Sequence, residues 1–443
     1  MRDRIFHKRK SLRGLILIVS SLAVLVAALL FRDWRTPSPP QQEPTLDFSI
    51  TQFEAIDGWA DGGQGAAVPA FKRSCKAVTD RQDAAPMNRL EALGPGRFDV
   101  SLAGVAADWR AACAAALSAP DGIDDSAARA LFEAHFTPVT ILNVRLKKRW
   151  FGGYREVRET KGLLTGYYEP EFDGALAPTE TAATPLLARP DDLVMAELGA
   201  FRPDLAGTRI AGRVVNGRLQ PYETRAQIDA GALDGKATPL AWADPADAFF
   251  LHIQGSGRVN LEDGRVLRLG YDGQNGHPYT AIGRLLVEQG IMPLEDVSLQ
   301  SIRAWLADAP PHEAKALMDA NASYVFFREL TEVDDPALGP LGAQGLPLTP
   351  KASLAVDRRY YPMGAPVFVA SSAPEGQGGA DASFRKLMIA QDTGGAIRGP
   401  VRGDVFWGWG AKAERIAGEM RAEAEMTLLV PKPVAAALAG RDR

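Results

Sequence analysis

The stretch KLMIAQDTGGAIRGPVRGDVFWGWG, residues Lys386–Gly410, decides the fold that we expect. Its apolar run Leu387–Ala390 is typical of a buried β-strand, and Asp392 follows in a glycine-rich turn. Asp404 then opens a second short apolar run. Glycines between the two aspartates leave room for a ligand to approach the backbone. The stretch therefore predicts two carboxylates at the rims of two strands in a β-barrel that binds an extended polymer.

Both aspartates also have a structural interpretation. Asp often caps a turn at the end of a strand, and a Gly-Gly pair often does no more than turn the chain. On Asp392 and Asp404 alone, the structural interpretation is the more frequent one. The motifs elsewhere in the chain change this balance.

Four further motifs share an order with this stretch: Leu164-Thr165-Gly166-Tyr167-Tyr168-Glu169-Pro170, His252-Ile253-Gln254-Gly255-Ser256-Gly257, Ala355-Val356-Asp357 and Pro362-Met363-Gly364. The last two, with Asp392–Gly399 and Asp404–Phe406, resemble the 3D domain, which is named for three aspartates and is a double-psi β-barrel. Together with the first two, the chain from about residue 163 to 431 resembles the MltA family of lytic murein transglycosylases. Each motif alone is weak, but their combination in this order is specific.

The resemblance implies a mainly β fold with peripheral helices, in which a double-psi β-barrel carries a smaller inserted β-domain. We expect residues 46–168 and 320–432 to form the barrel, with the 3D domain at about 350–431. Residues 169–319 are expected to form the insert, with its own helices. The apolar runs Ala248–Gln254 and Ala322–Phe327 are both predicted as strands, and the second is expected to re-enter the barrel.

The resemblance also implies a reaction on peptidoglycan. The family's single catalytic aspartate matches Asp404, which would act as the acid/base that cleaves the MurNAc-β-1,4-GlcNAc bond and leaves a 1,6-anhydroMurNAc end. We expect apolar neighbours such as Phe406 and Trp407 to raise the pKa of Asp404. Asp392 is the second catalytic candidate, and it would position and polarise the site.

The predicted substrate-binding residues are Asp357, Tyr167, Tyr168, Gln254, Ser256, Gly394, Gly395 and Arg398. Asp357 either holds the end of its strand or contacts the glycan. At least one of the two tyrosines is expected to contact a sugar ring through its aromatic face. The side chains of Gln254 and Ser256 suit sugar hydroxyl or acetamido groups. Arg398, with the two glycine amides, suits sugar or peptide-stem groups.

Composition and motifs argue against nucleic-acid binding, serine hydrolysis and the use of a cofactor. A net charge of −4 offers no basic footprint, so we expect no nucleic-acid partner. The glycines around Ser256 do not have the G-x-S-x-G spacing of a serine hydrolase. No phosphate loop, zinc pattern or dinucleotide fingerprint is found, so no cofactor and no metal are expected.

The first 35 residues are expected to be a targeting segment. Six basic residues precede an apolar run from Gly14 to Phe31, which is just long enough to span a bilayer as a helix. The run ends without a convincing small-x-small cleavage site, which favours an uncleaved inner-membrane anchor over a signal peptide that is removed after export. Residues 36–45 form a proline-rich linker. Both interpretations place the folded chain on the periplasmic face of the cell envelope.

The only two cysteines, Cys75 and Cys113, lie in a region that is expected to be helical, 70–119. In an exported chain they are candidates for one disulfide, and the alternative is two buried free thiols. Export favours the disulfide.

Two alternatives to the lytic transglycosylase remain. The first is a membrane-tethered module that binds peptidoglycan without cleaving it, although the aspartates at 392 and 404 favour an enzyme. The second is an inverting hydrolase with Asp392 as the base. The mass of the product separates the two reactions, because a lyase leaves an anhydro-sugar and a hydrolase leaves a reducing sugar.

Overall fold

The structure is a computed structural model that describes residues 45–87, 102–149, 153–205, 208–374, 381–394 and 396–439. The predicted anchor, the linker before residue 45 and Gly395 lie outside these residues. Within them, no helix is both long enough and apolar enough to cross a membrane. The chain divides into two compact units, Met1–Thr45 with Arg145–Val157 and Leu46–Val144 with Arg158–Arg443. Every candidate site residue belongs to the second unit.

The described strands, in chain order, are β1 (Thr45–Ile50), β2 (Phe136–Lys148), β3 (Tyr154–Glu159), β4 (Lys161–Glu169), β5 (Glu171–Ala175), β6 (Thr184–Leu187), β7 (Val194–Glu197), β8 (Arg209–Val215), β9 (Arg218–Pro221), β10 (Pro239–Ala243), β11 (Ser256–Leu261), β12 (Val266–Gln274), β13 (Val325–Glu329), β14 (Ser353–Val356), β15 (Pro366–Ala373), β16 (Ala382–Asp392), β17 (Arg402–Trp409) and β18 (Arg421–Pro431).

The described α-helices are α1 (Val68–Thr79), α2 (Ala106–Ser118), α3 (Asp125–His135), α4 (Arg225–Asp229), α5 (Pro245–Gln254), α6 (Ile282–Glu288), α7 (Leu299–Asp308), α8 (Pro311–Asp319), α9 (Gly410–Glu419) and α10 (Lys432–Ala439). Short 3-10 helices lie at Phe53–Ala55, Trp59–Asp61, Gln64–Ala67, Leu198–Ala200, Pro203–Leu205 and Leu294–Asp296. In the first unit, the described residues are Thr45, 145–149 and 153–157, which include the paired ends of β2 and β3.

Six strands close into a barrel in the order β18-β15-β16-β14-β17-β4, because β4 also pairs with β18. Two of the pairings, β14 with β16 and β17 with β4, are parallel. The four residues of β14 are all buried, as expected for a central strand whose sequence, SLAV, carries no charge. The mainly β fold with a double-psi barrel and an inserted β-domain is therefore confirmed.

The insert is built on a second sheet with the strand order β13-β12-β11-β5-β10-β6. The predicted strand at Ala322–Phe327 exists as β13, but its partner is β12, with Phe327 opposite Tyr271. The expectation that it re-enters the barrel was wrong. An apolar β-branched and aromatic sequence predicts a strand without identifying its partner, and here the chain returns to the barrel only after Glu329.

The predicted strand Ala248–Gln254 is instead helix α5. Asp244 caps its first turn through the amides of Ala246 and Asp247, Pro245 occupies the first position, and Gly255 ends it with a left-handed φ of 80°. The prediction failed because the centre of the helix is buried for more than a full turn, from Ala248 to His252. Such a run has no polar face, so its periodicity does not distinguish helix from strand.

Helices α1, α2 and α3 pack beside the barrel in one hydrophobic core with its strands. Aromatic rings link them, for example Phe71 with Phe132 at 5.6 Å and Trp109 with Phe136 at 5.8 Å between ring centroids. A disulfide joins Cys75 of α1 to Cys113 of α2, with 5.1 Å between the Cα atoms. The predicted bridge is therefore confirmed.

We predict that the disulfide stabilises this helical layer through the unfolded chain. It closes a loop with a sequence separation of 38 residues, and a loop of that length corresponds to about 4 kcal/mol of lost chain entropy in the unfolded state. Replacing both cysteines by alanine should lower the free energy of unfolding, measured in urea, by about 2–5 kcal/mol. An unchanged midpoint of unfolding would show that the bridge contributes nothing.

Candidate active site

The two predicted catalytic aspartates lie in one row across four strands of the barrel. Ala355 of β14 pairs with Asp392 of β16 on one side and with Asp404 of β17 on the other. Asp404 in turn pairs with Thr165 of β4. Strands are about 4.8 Å apart, so the backbones at the two aspartates lie about 10 Å from each other. Ala355, which lies between the two aspartates in this row, is itself buried.

Asp404 has a single hydrogen bond to another side chain in the part of the chain that the structure describes. The Thr165 hydroxyl lies 2.6 Å from Asp404 Oδ1, and Arg402 donates to Thr165 Oγ1 at 2.9 Å. Because Thr165 accepts from Arg402, its own proton is directed to Asp404 Oδ1. The other oxygen, Oδ2, is left to carry a proton when the acid is neutral.

The surroundings of Asp404 keep its proton on up to nearly neutral pH. Burial raises the pKa of Asp404 to about 6, and the negative charge of Asp392 adds to the increase. The Thr165 hydrogen bond and the Arg402 charge act in the opposite direction. The expected direction of the pKa shift is confirmed, and its main cause is loss of solvent around the carboxyl group.

Asp392 differs from Asp404 because both of its oxygens are occupied. Tyr167 donates its hydroxyl to Oδ2 at 2.7 Å, and the amides of Ala343 and Thr393 donate to Oδ1 at 2.9 Å each. Burial raises the pKa of Asp392, while these three donors lower it. A carboxylate held in this way has a fixed orientation and no free oxygen for proton transfer.

Tyr167 is part of the site, but Tyr168 is not. The two side chains leave β4 on opposite sides, as successive residues of a strand do. Tyr167 reaches Asp392 and packs on Phe406 with 5.3 Å between ring centroids. Tyr168 is buried in a separate cluster with Ala413 and Ala417 of α9. Tyr168 is therefore buried on the other side of β4 from Asp392, and a sugar contact by its ring stays a prediction.

Asp357, the third aspartate, is fully buried. Arg359 pairs with it at 2.7 Å, and the amide of Gly399 donates to Oδ2 at 2.9 Å. This arrangement joins the end of β14 to the turn before β17. It agrees with the first of the two predicted roles, holding the end of the strand, whereas the second, contact with the glycan, stays a prediction.

The remaining predicted binding residues lie at the surface or on the insert. Arg398 is exposed and Gly394 is half-buried in the turn after β16, and Gly395 lies outside the described residues. Gln254 ends α5 and Ser256 begins β11, both half-buried. Among the described contacts, neither of these two side chains has a hydrogen bond to Asp392 or Asp404.

Three functional groups were missed by the sequence analysis: the Thr165 hydroxyl, the Arg402 guanidinium and the backbone amide of Ala343. Thr165 lay within a motif that was singled out for its tyrosines. The signal that could have found it is alternation along the strand, because Thr165 and Tyr167 share a face. The contribution of Ala343 depends on a loop that returns from the insert, and no local pattern predicts it. Among the described residues, no group of acidic, histidine or cysteine side chains could hold a metal ion.

Two family models match the chain. The MltA specific insert domain matches residues 163–328, and the 3D domain matches residues 352–430. The end of the first match agrees with the position of β13 in the insert sheet.

Solved structures and curated proteins agree with these matches. MltA from Neisseria gonorrhoeae is 32% identical with a TM-score of 0.69, and the alignment covers 89% of this chain and 98% of that one. A membrane-bound lytic murein transglycosylase from Agrobacterium tumefaciens is 30% identical with a TM-score of 0.70, covering 88% and 99%.

Membrane-bound lytic murein transglycosylase A of Vibrio cholerae is 35% identical over 202 residues, 45% of this chain and 53% of that protein. The chain thus spans about half the length of such curated relatives. Its match to the solved structures extends over nearly their whole length. The chain belongs to the MltA family.

Proposed function

We propose that this protein is a lytic transglycosylase that cleaves the MurNAc-β-1,4-GlcNAc bond of peptidoglycan and leaves a 1,6-anhydroMurNAc end. The observation that carries the proposal is the contrast between the two carboxyl groups of the site. Asp404 has a raised pKa and one oxygen without a hydrogen bond from a described side chain, whereas Asp392 is held by three donors. Relatives named lytic murein transglycosylase A support the substrate class.

In the proposed reaction Asp404 acts twice. Its proton passes from Oδ2 to the bridging oxygen while the bond from that oxygen to C1 of MurNAc breaks. The resulting carboxylate then takes the proton of the C6 hydroxyl of the same MurNAc, and O6 bonds to C1. One proton leaves Asp404 and one returns to it, so the reaction consumes no water and needs no second base.

Asp392 is proposed to assist through its charge. As an oriented anion it favours the positive charge that develops at C1, and it raises the pKa of Asp404. Arg398, Gly394, Gly395, Gln254 and Ser256 remain proposed glycan or peptide-stem contacts. We propose no metal or cofactor in this reaction.

The alternative function is a peptidoglycan-binding module without activity, tethered to the membrane. A binding module has no need of a buried, protonatable carboxyl group, since ionisation of such a group costs folding free energy. We therefore favour the enzyme. For its location we propose the periplasmic face of the envelope, with the N-terminal segment as an inner-membrane anchor or a cleaved export signal.

The first of three predictions from the proposed reaction concerns Asp404→Asn. Asparagine has nearly the same shape but can neither give nor recover the proton, so turnover should fall by about 10²–10⁴-fold with glycan binding preserved. Mass spectrometry of muropeptides released from peptidoglycan should show anhydro-sugars for the wild type. Asp392→Asn should be impaired less. A reducing-sugar product would contradict the lyase, and undiminished release by Asp404→Asn would contradict the assignment of the acid.

The second prediction concerns pH. An acid with a pKa of about 6 is protonated below that pH, so kcat/KM should fall about tenfold per pH unit above 6. In Thr165→Val the hydrogen bond that stabilises the ionised form is lost, and the falling limb should move to higher pH. A limb that stays in place, or moves to lower pH, would contradict the role given to Thr165.

The third prediction concerns stability. Because the pKa of Asp404 is higher in the folded chain than in the unfolded one, its ionisation lowers stability as pH rises from about 4 to 6. Asp404→Asn should be more stable than the wild type by about 1–3 kcal/mol at pH 7 and equally stable near pH 3.5. Chemical unfolding at both pH values measures the difference, with the exposed Asp191→Asn as the control that should show none.

A further inference from the structure

The chain passes between the barrel and the insert twice. It leaves the barrel at Glu169, where β4 ends, and it returns after β13 through residues 330–352. Part of this return connection, residues 333–343, is called the return segment below. It contributes the amide of Ala343 to Asp392, so one donor of the site comes from a loop outside the barrel strands.

The start of the return segment lies against a buried cluster of three charges. Arg258 of β11 and Arg268 of β12 are register partners in the insert sheet, and both are almost fully buried. Glu169 comes from the barrel strand β4, and its carboxylate is completely buried between them. Its oxygens lie 2.8 Å from Arg258 Nε and 3.8 Å from Arg268 Nη2. We call these three residues the Glu169 cluster.

One carboxylate cannot satisfy two guanidinium groups, so the remaining N–H groups need other acceptors. The return segment supplies them. Arg258 Nη2 donates to Leu338 O at 2.8 Å, and Arg268 Nη2 donates to the same oxygen at 2.8 Å. Further contacts of 3.3 Å reach Pro336 O from Arg258 and Val333 O from Arg268. The two arginines therefore fix the backbone of residues 333–338.

The fixed backbone leads directly to the site. Next to Leu338 is Gly339, whose Cα lies so close to the Phe406 ring that a Cβ atom would come within 2.4 Å of it. The Phe406 ring packs on Tyr167, which donates to Asp392. Four residues later, Ala343 N donates to the same aspartate at 2.9 Å. Two of the three donors to Asp392 thus depend on the path of the return segment.

The cluster also contacts the strand that carries Asp404. The Arg258 guanidinium lies 3.5 Å from the centroid of the Trp409 ring, at the end of β17. Trp409 and Glu169 are register partners at the ends of β17 and β4. Arg258 therefore contacts the ends of β4 and β17, the strands that carry Thr165 and Asp404. It also contacts the return segment, which donates the Ala343 amide to Asp392.

We propose that Arg258, with Arg268 and Glu169, is a positioning device that holds the return segment so that Ala343 and Tyr167 keep Asp392 in its catalytic orientation. The inference rests on the proposed function of Asp392 and Asp404. Burying three charges is costly, and an apolar core of the same volume is often at least as stable. The planar guanidinium is needed because it donates to Glu169 and to two carbonyls at once while stacking on Trp409.

The test compares Arg258→Lys with Arg225→Lys in the full-length protein. Arg225 is a matched control, because it is also buried in the insert and donates to backbone carbonyls, those of Asn321 and Ser323, which do not lead to the site. Lysine keeps the charge in both variants but loses the forked contacts. Steady-state kinetics on soluble glycan strands give kcat and KM, and hydrogen exchange reports on residues 336–343.

We expect Arg258→Lys to lower kcat about 10- to 100-fold with KM unchanged and to speed amide exchange in residues 336–343. Arg225→Lys should change neither. If Arg258→Lys does not fold, Arg268→Lys gives the same comparison. That variant loses hydrogen bonds from the guanidinium to the carbonyl oxygens of Val333 and Leu338.

Equal kcat values for the two variants would overturn the proposal, and so would a loss of kcat without faster exchange in the return segment. Faster exchange with undiminished kcat would also overturn it. If the wild type itself releases no anhydro-sugar, the proposed function fails. The exchange data then still decide whether Arg258 holds the segment.

Discussion

The site depends on one constraint, which is that a carboxyl group removed from water resists ionisation unless donors compensate it. The barrel contains three aspartates of the family motif and gives each a different number of donors. Asp357 is paired with Arg359 and the Gly399 amide, Asp392 has three donors, and Asp404 has the Thr165 hydroxyl. Burial raises the pKa of both Asp392 and Asp404, and we propose that the smaller number of donors makes Asp404 the one that exchanges a proton. Asp404 is the one whose second oxygen has no described side-chain donor.

The sequence predicted the elements of the barrel well, for a physical reason. Strands β14, β15, β16, β17 and β18 each contain a short apolar run, and such runs are the local signal for a buried strand. The disulfide was predictable because only two cysteines exist in the chain, whose N-terminus is predicted to be an export segment. Predictions failed where the outcome depended on a distant partner. The centre of helix α5 is buried on all sides, so its sequence has no periodicity to detect. Strand β13 pairs with β12 of the insert sheet, and the local sequence does not identify this partner.

In the candidate site, too, the local motifs predicted some features, and others depend on residues that are distant in sequence. Asp392 and Asp404 were found from a local motif, whereas their opposite roles follow from contacts that lie far apart in sequence. Thr165 is 239 residues from Asp404, and Ala343 is 49 residues from Asp392. Asp357 and Tyr168 were predicted as binding residues because they lie in the motifs. A motif does not reveal to which side of a strand a side chain points. It also does not reveal that Arg359 forms an ion pair with Asp357.

The distribution of donors also bears on why one acid can serve both halves of the proposed reaction. If Asp392 were free of its three donors, the two carboxyl groups would compete for one proton, as like charges at short range do. Burial raises the pKa of Asp392, and the donors Tyr167, Ala343 and Thr393 lower it. We propose that these donors favour its ionised form and leave the proton to Asp404. The return segment is then more than a connection between sheets. It brings the Ala343 amide to Asp392, and this donor lowers the pKa of a barrel residue. In the proposed reaction, the position of this connection would therefore affect the protonation state of the site.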